Sequence, residues 1–323
     1  SAQVEEGRAA AERAVALEPS TERERAYARA VHAFFRGADA RLPERIRRWE
    51  SAMEELHASF PDDREAQSLY ALAHLAVDPS DASRQERADS LLRAVHDAMP
   101  RHPGAIHYAI HVHDVEGRAE DGIEFARAYD DIAPSVPHAL HMPSHLYVRL
   151  GMWDDVIEWN RRSADAALKH PAGEYTSHHH AHALDYLTYG YLQRGEYDRA
   201  REVLEELRSR RDYQPTFISA YHLASIPARL RVETRDWKGA AALEPRVPSA
   251  FPWEDFPAAE ALTQFARGLG AARSGDADGA AAAQTRLEEL ERAARQADDG
   301  YWADQILVQR RSVAAWRSMA EGR

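Results

Sequence analysis

Apolar positions recur along this chain with the 3.6-residue period of an amphipathic helix, and no stretch alternates as a half-buried strand requires. Within 84–99 they are Ala88, Leu91, Leu92, Val95 and Met99, and further on Ala200, Val203, Leu204 and Leu207, each set forming a stripe on one helix face. The helical stretches share an opening: a turn residue, an aromatic or Ala, two polar residues, then a small or apolar one. Gly151-Met152-Trp153, Gly195-Glu196-Tyr197, Arg235-Asp236-Trp237 and Gly275-Asp276-Ala277 carry it. With Ala119 as the first mark, positions 119, 153, 197, 237 and 277 stand 34, 44, 40 and 40 residues apart, near the ~34-residue period of a helix–turn–helix repeat.

Pro61, Pro100, Pro134 and Pro171, spaced 39, 34 and 37 apart, each follow a helical stretch, where proline marks an end. The pattern predicts an all-α chain of paired helices. First helices are expected over 64–77, 103–115, 137–150, 176–193, 217–233 and 257–273, each followed by a second. A pair can bury its apolar faces only by stacking on its neighbours, so 1–323 is expected to form one continuous tetratricopeptide-like solenoid, a right-handed superhelix. The Gly- and Ala-rich segment 268–283 reads as a turn between repeats, at which a C-terminal part could hinge.

Composition narrows the function. Hydrophobic residues at 44% and charged ones at 29% are ordinary for a folded soluble protein. A net charge of −12, from 41 Lys+Arg against 53 Asp+Glu, argues against nucleic acid or an anionic membrane as partner, since both need clustered positive charge. Cysteine is absent, which excludes disulfides, zinc ribbons, iron–sulfur clusters and thiol nucleophiles. A bound transition metal must therefore use His, carboxylate, Met or Tyr. With no 18-residue apolar run and no basic-then-apolar leader, membrane insertion is not expected. The start at Ser1 suggests processing or a boundary. The sequence as it stands reads as cytoplasmic, or as exported if a further N-terminal segment precedes it.

Histidine position changes this picture most. Twelve of the 17 histidines fall in the quarter of the chain between His102 and His182. His32, His74, His107, His141, His182 and His222 are spaced 42, 33, 34, 41 and 40 apart and so track the repeat, each on a first helix, the helix that lines the concave surface of such solenoids. His107/His111 and His141/His145 are i,i+4 pairs, each on one helix face; His138 extends the second. His178, His179, His182 and Asp185 share a side of the next first helix. Neighbouring helices pack ~8–10 Å apart and a metal–nitrogen bond is ~2.0–2.1 Å, so two such helices can share one ion.

The candidate metal ligands are therefore His107, His111, His141, His145 and His182, with Asp114 and Asp185 as ligands, general bases or groups that orient imidazoles. His102, His138, His178, His179 and His222 are further groove candidates. Neutral imidazole suits Cu, Fe or Zn, and open coordination positions admit substrate or oxygen. No HExxH occurs, against a zincin, and no GxSxG elbow supports a triad on Ser144. Met142 reads as packing, and Tyr108, Tyr147, Tyr186, Tyr189 and Trp153 as core or groove wall. His57, His96 and His170 lie on second helices or helix ends and read as structural, while His32, His74 and His222 share the register without a neighbouring His in the chain. Pro143 either stands near a helix start or bends the helix beside the histidines.

The blocks His102-Pro103-Gly104-Ala105-Ile106-His107-Tyr108-Ala109-Ile110-His111 with Asp114, Pro137-His138-Ala139-Leu140-His141-Met142-Pro143-Ser144-His145, and His182-Ala183-Leu184-Asp185-Tyr186-Leu187 resemble a group of bacterial tetratricopeptide-repeat proteins that share HPGxxHYxIHxxD/E and HxxHMPSH motifs. The likeness also takes in Trp153, Asn160, Ile226-Pro227-Ala228-Arg229 and Tyr301-Trp302. It implies the helical-repeat fold and gives weight to the histidine blocks, but names no reaction. Members usually carry more chain at the N-terminus, and His113, His178 and His180 look like additions of this sequence. Two functions remain open. One is a metal-dependent enzyme, oxidoreductase rather than hydrolase, acting on a small organic or peptide substrate in the groove. The other is a non-catalytic scaffold that binds peptide or protein, with structural histidines.

Overall fold

The computed structural model describes residues 2–37, 40–129 and 132–322. Among these the chain is all-helical, with two isolated bridges and no β-strand. None of the described helices is long and apolar enough to cross a membrane. The chain divides into two compact units, 1–134 and 135–323.

The first unit runs α1 Ala2–Ala16, α2 Glu22–Phe35, α3 Leu42–Ser59, α4 Arg64–Val77, α5 Ala82–Ala98, α6 Pro103–His113, a 3₁₀ turn over Ala119–Gly122, and α7 Ile123–Ala128. Successive helices pack on one another, α2 on α3, α4 on α5 and α6 on α7. Side-chain caps set their starts: Thr21 forms a reciprocal capping box with Glu24, while Asp63 and Asp81 accept from the first backbone N–H groups of α4 and α5. Each such cap is worth ~1 kcal/mol. Of the stripe seen in the sequence, Ala88, Leu91, Leu92 and Val95 are buried, whereas Met99, at the C-cap of α5, is exposed.

The second unit runs α8 Pro137–His141, α9 Ser144–Leu150, α10 Trp153–Lys169, α11 His178–Gln193, α12 Tyr197–Ser209, α13 Phe217–Glu233, α14 Trp237–Ala241, a 3₁₀ turn over Trp253–Asp255, α15 Pro257–Arg273, α16 Ala277–Gln296 and α17 Gly300–Ala320. Its core is one cluster from Ala164 through Leu184, Leu204 and Ile226 to Trp253, and a second built around Ala261, Leu287, Ile306 and Val313. The buried residues of α10, Val156, Trp159, Asn160, Ser163, Ala164, Ala166 and Ala167, fall at helical spacing on one face, which packs on α11.

Four expectations hold closely. First helices appear as α4, α6, α13 and α15, three of them with the expected bounds. All five repeat marks fall on the first residue of a helix, Ala119, Trp153, Tyr197, Trp237 and Ala277. Two details differ. The second helices that open at Ala119 and Trp237 are short. The expected turn over 268–283 shrinks to Ser274–Asp276, with helix on both sides. The reason is packing: the glycines there serve close helix approach instead of chain reversal. A Cβ on Gly270 would sit 2.5 Å from the backbone of Ala241 and Trp237, and one on Gly268 2.8 Å from Val313. Only Gly275, at φ +82, is a turn glycine.

The Gly270 contact is with backbone, which cannot swing aside. Gly270→Ala is therefore expected to destabilise the second unit by about 2–3 kcal/mol, measured as a lower urea midpoint. An unchanged midpoint would mean that α14 and α15 are not in the close contact described.

Candidate metal centre

The helices α8 and α9 form one helical course interrupted at Met142-Pro143. Pro143 has no N–H, so the carbonyl of Ala139 loses its usual donor. The backbone tightens instead: His145 N–H donates to Met142 O at 3.2 Å and Leu146 N–H to Pro143 O at 3.1 Å, the i→i+3 pattern of a 3₁₀ turn. Met142 and Pro143 both keep right-handed helical dihedrals, so the course bends beside the histidines and then continues. α10 holds the bend. Ser163 Oγ donates to Pro137 O at 2.7 Å, and Asn160 Nδ2 donates to Ser144 Oγ and to Val156 O, both at 2.7 Å. These bonds fix the Asn160 amide so that its Oδ1 faces His141 Nδ1 at 2.8 Å.

Three imidazoles converge at this bend. His141 Nε2 lies 2.8 Å from His182 Nε2 and 3.1 Å from His145 Nε2, and one nitrogen from each of the three rings lies within 4.8 Å of the other two, an arrangement that could hold a metal ion. His141 is buried and the other two half-buried. For metal–nitrogen bonds of ~2.0–2.1 Å, two ligands at right angles are separated by about 2.9 Å, close to the two short spacings. The Tyr186 ring lies against all three imidazoles, edge-on to His141 at 4.5 Å and with centroids 5.8 Å from His145 and 5.4 Å from His182.

Proton accounting assigns the tautomers. On α13, His222 Nδ1 faces Asp185 Oδ2 at 3.2 Å, and its Nε2 faces His182 Nδ1 at 2.8 Å. The carboxylate only accepts, so neutral His222 carries its proton on Nδ1 and accepts at Nε2. His182 must then donate from Nδ1, which leaves Nε2 bare. His141 donates from Nδ1 to Asn160 Oδ1, which leaves its Nε2 bare as well. Two buried lone pairs thus face each other at 2.8 Å. Such a contact is repulsive unless a cation lies between them, either one proton more than the neutral relay carries or a metal ion.

On His141 and His182 themselves the electrostatics disfavour a proton. Burial, followed by the neighbouring His182 and His145, pushes the His141 imidazole well below its ordinary value. Burial, followed by His222 and His145, lowers His182 to about 2. Burial alone would raise the Asp185 carboxyl, but the His222 hydrogen bond and Arg229, with NH1 at 3.6 Å, bring it below the usual carboxylate range. Asp185 therefore stays charged and keeps His222 in the stated orientation, the carboxylate–histidine arrangement that commonly backs a metal-ligating imidazole.

The other sequence candidates fall into separate places. His138 lies beside His141, ring centroids 6.4 Å apart, and beside His179 at 5.6 Å. Burial lowers both, His179 to about 4. His178 turns to Gln214 Oε1 at 3.0 Å. In the first unit His107 and His111 face each other through Nε2 at 3.2 Å. His102 caps α6, its Nδ1 accepting from Ala105 N–H at 3.1 Å with Nε2 toward Glu65 at 3.2 Å. Asp114 stands at the C-terminal end of the same helix. His222, which has no His neighbour in the chain, finds one in space. Asn160 entered the sequence reading only through the resemblance. Its signal was a polar residue at a buried position of α10, i+4 from Val156 and i−4 from Ala164.

His180, on the far side of α11 from the centre, anchors the start of that helix. Its Nδ1 accepts from Tyr213 O–H at 2.8 Å, and its Nε2 donates to Glu206 at 3.2 Å. Arg161 grips the same carboxylate with two bonds of 3.0 and 2.9 Å.

No protein-family profile matches the chain, and no curated protein matches it in sequence. Solved structures do. It is similar to a tetratricopeptide repeat protein from Parabacteroides merdae, with 12% identity, a TM-score of 0.50, and coverage of 90% of this chain and 99% of that one. A chain of the APC/C hetero-tetramer Cut9-Hcn1 is also similar, at 12% identity and a TM-score of 0.39, over 93% of this chain and 62% of that one. The first likeness, at this identity, concerns the fold alone. At that level the tetratricopeptide-like helical-repeat solenoid expected from the sequence is what the chain forms.

The Glu206 anchor gives a pH signature. Burial raises this carboxyl, but His180 and Arg161 outweigh it and hold the group at about 2. A folded value below the unfolded one makes the contribution complete above about pH 4.5, with progressive loss as pH falls toward 2. Glu206→Gln is expected to cost roughly 1–3 kcal/mol at about pH 6, and the gap from wild type should narrow by about pH 3. Urea midpoints at the two pH values check this, and a gap independent of pH would refute it.

Proposed function

We propose that the protein is a metal-dependent enzyme whose centre is held by His141, His145 and His182 and takes a first-row transition ion, Cu, Fe or Zn. The observation that carries this reading is the 2.8 Å approach of Nε2 of His141 to Nε2 of His182, with each ring held at Nδ1 by Asn160 or by the His222–Asp185 relay. Neutral imidazoles are suitable donors for these ions, and three protein ligands leave coordination positions for a substrate or oxygen.

Redox or oxygen chemistry on a small organic or peptide substrate is the favoured reaction class, ahead of hydrolysis. Asp185, the nearest carboxylate, is engaged by His222 and Arg229, so it supports an imidazole and is not poised as a base for activating water. When bound, the metal would supply Lewis acidity or electron transfer. The chain's own residues hold His141 and His182 in one tautomer, with Nε2 turned inward, and cover the site with the Tyr186 ring. His107 and His111 offer a second facing pair of imidazoles in the first unit, and we assign them to the same chemistry as candidate ligands.

Elemental analysis of protein purified without a histidine tag tests the proposal. Near-stoichiometric Cu, Fe or Zn is expected, falling at least tenfold in a His141→Ala/His145→Ala double variant that keeps its helical circular dichroism. His222→Ala, which removes a positioning residue and no ligand, should weaken metal affinity about 10–100-fold. Protein that holds no metal and takes up none from each ion in turn would reject the enzyme reading and leave the scaffold, in which the network only specifies packing.

A further inference from the structure

Away from the histidines, the second unit contains a cavity of about 460 Å³ between the C-terminal end of α12, one face of α13 and the chain around Trp253. This is the size range of small-molecule sites. Its floor is apolar: Leu207, Leu223 and Trp253 line it and are themselves almost fully buried. The Trp253 indole N–H is already bonded to Pro248 O at 2.9 Å, so the ring presents only carbon surface.

The rim is basic in an acidic protein. Arg208, Arg210, Arg211 and Arg231 line the cavity against a single carboxylate, Glu244, while the whole chain carries −12. Arg208 is paired with Glu205 and Arg231 with Asp236. Arg210 and Arg211 are exposed and have no ion pair among the described residues. Arg231 Nε is buried and has no hydrogen-bond partner. Leu223 and Arg231, eight residues apart, lie on one face of α13, whereas His222 and Arg229 face the metal centre from another.

We propose that this cavity binds an amphipathic organic anion, with its carboxylate or phosphate head held by Arg210, Arg211 and Arg231 and its apolar body lying on Leu207, Leu223 and Trp253. Guanidinium groups match such heads because their planar donors reach two oxygens at once. The apolar floor requires a hydrophobic tail, which excludes free phosphate or a sugar acid. This site does not depend on the metal reading.

Calorimetric titration of chelator-treated, full-length protein with decanoate, decyl phosphate, decanol and decyltrimethylammonium tests it. Saturable one-to-one binding of the two anions is expected, with the tighter one identifying the preferred head group, and at least tenfold weaker binding of decanol and of the cation. Arg210→Glu/Arg211→Glu, which changes only exposed side chains, should weaken anion binding at least tenfold without altering helical content. A shift in tryptophan emission on binding should disappear in Trp253→Phe. Equal affinity for decanol, unchanged binding in the double variant, or no saturable binding would overturn the proposal. So would binding that needs reloaded metal, because the anion would then be bound at the histidine centre.

Discussion

The second unit is arranged around one constraint: the Nε2 atoms of His141 and His182 are held 2.8 Å apart, and the tautomers assigned above leave neither with a proton. Each is fixed from behind. The Asn160 amide, locked by Ser144 and Val156, takes the Nδ1 proton of His141, and the His222–Asp185 pair takes that of His182. Reversing either orientation would strand a buried donor or acceptor, at a cost of about 1–3 kcal/mol. The bend at Pro143, the buried polar face of α10 and the charged state of Asp185 all serve that arrangement.

Charge and burial act together here. An isolated buried carboxylate such as Asp185 would tend to protonate, and a protonated Asp185 would no longer define the His222 tautomer. The Arg229 guanidinium and the His222 N–H hold it ionised instead. Burial in turn keeps His141 and His182 neutral. The polarity of the relay thus runs outward from Asp185 and ends in an unprotonated nitrogen at the point of convergence.

Much of the fold was legible in the sequence because repeat period and helix ends are local properties. The helical pattern between turn marks predicts α4, α13 and α15 to the residue, and the repeat marks all open helices. The 268–283 turn was overestimated because composition does not distinguish a turn glycine such as Gly275 from Gly270, which admits a neighbouring backbone. At the site, the register placed His141, His145 and His182 together, since equivalent positions on stacked helices meet. It did not reveal that His222 would complete the relay across the 40 residues between it and His182, nor that Asn160 would fix the His141 ring. Those roles depend on side-chain rotation and on which proton each ring carries, and helical period encodes neither.

The central claim concerns protons, and nitrogen-15 NMR of the histidine side chains in metal-free protein at neutral pH observes them directly. The account predicts that His141 and His182 are both Nδ1-protonated with an unprotonated Nε2, and that both Nε2 resonances shift when metal is added. A protonated Nε2 on His182, with His222 carrying protons on both nitrogens, would mean that the relay runs the other way and closes the site without a metal ion, and would contradict it.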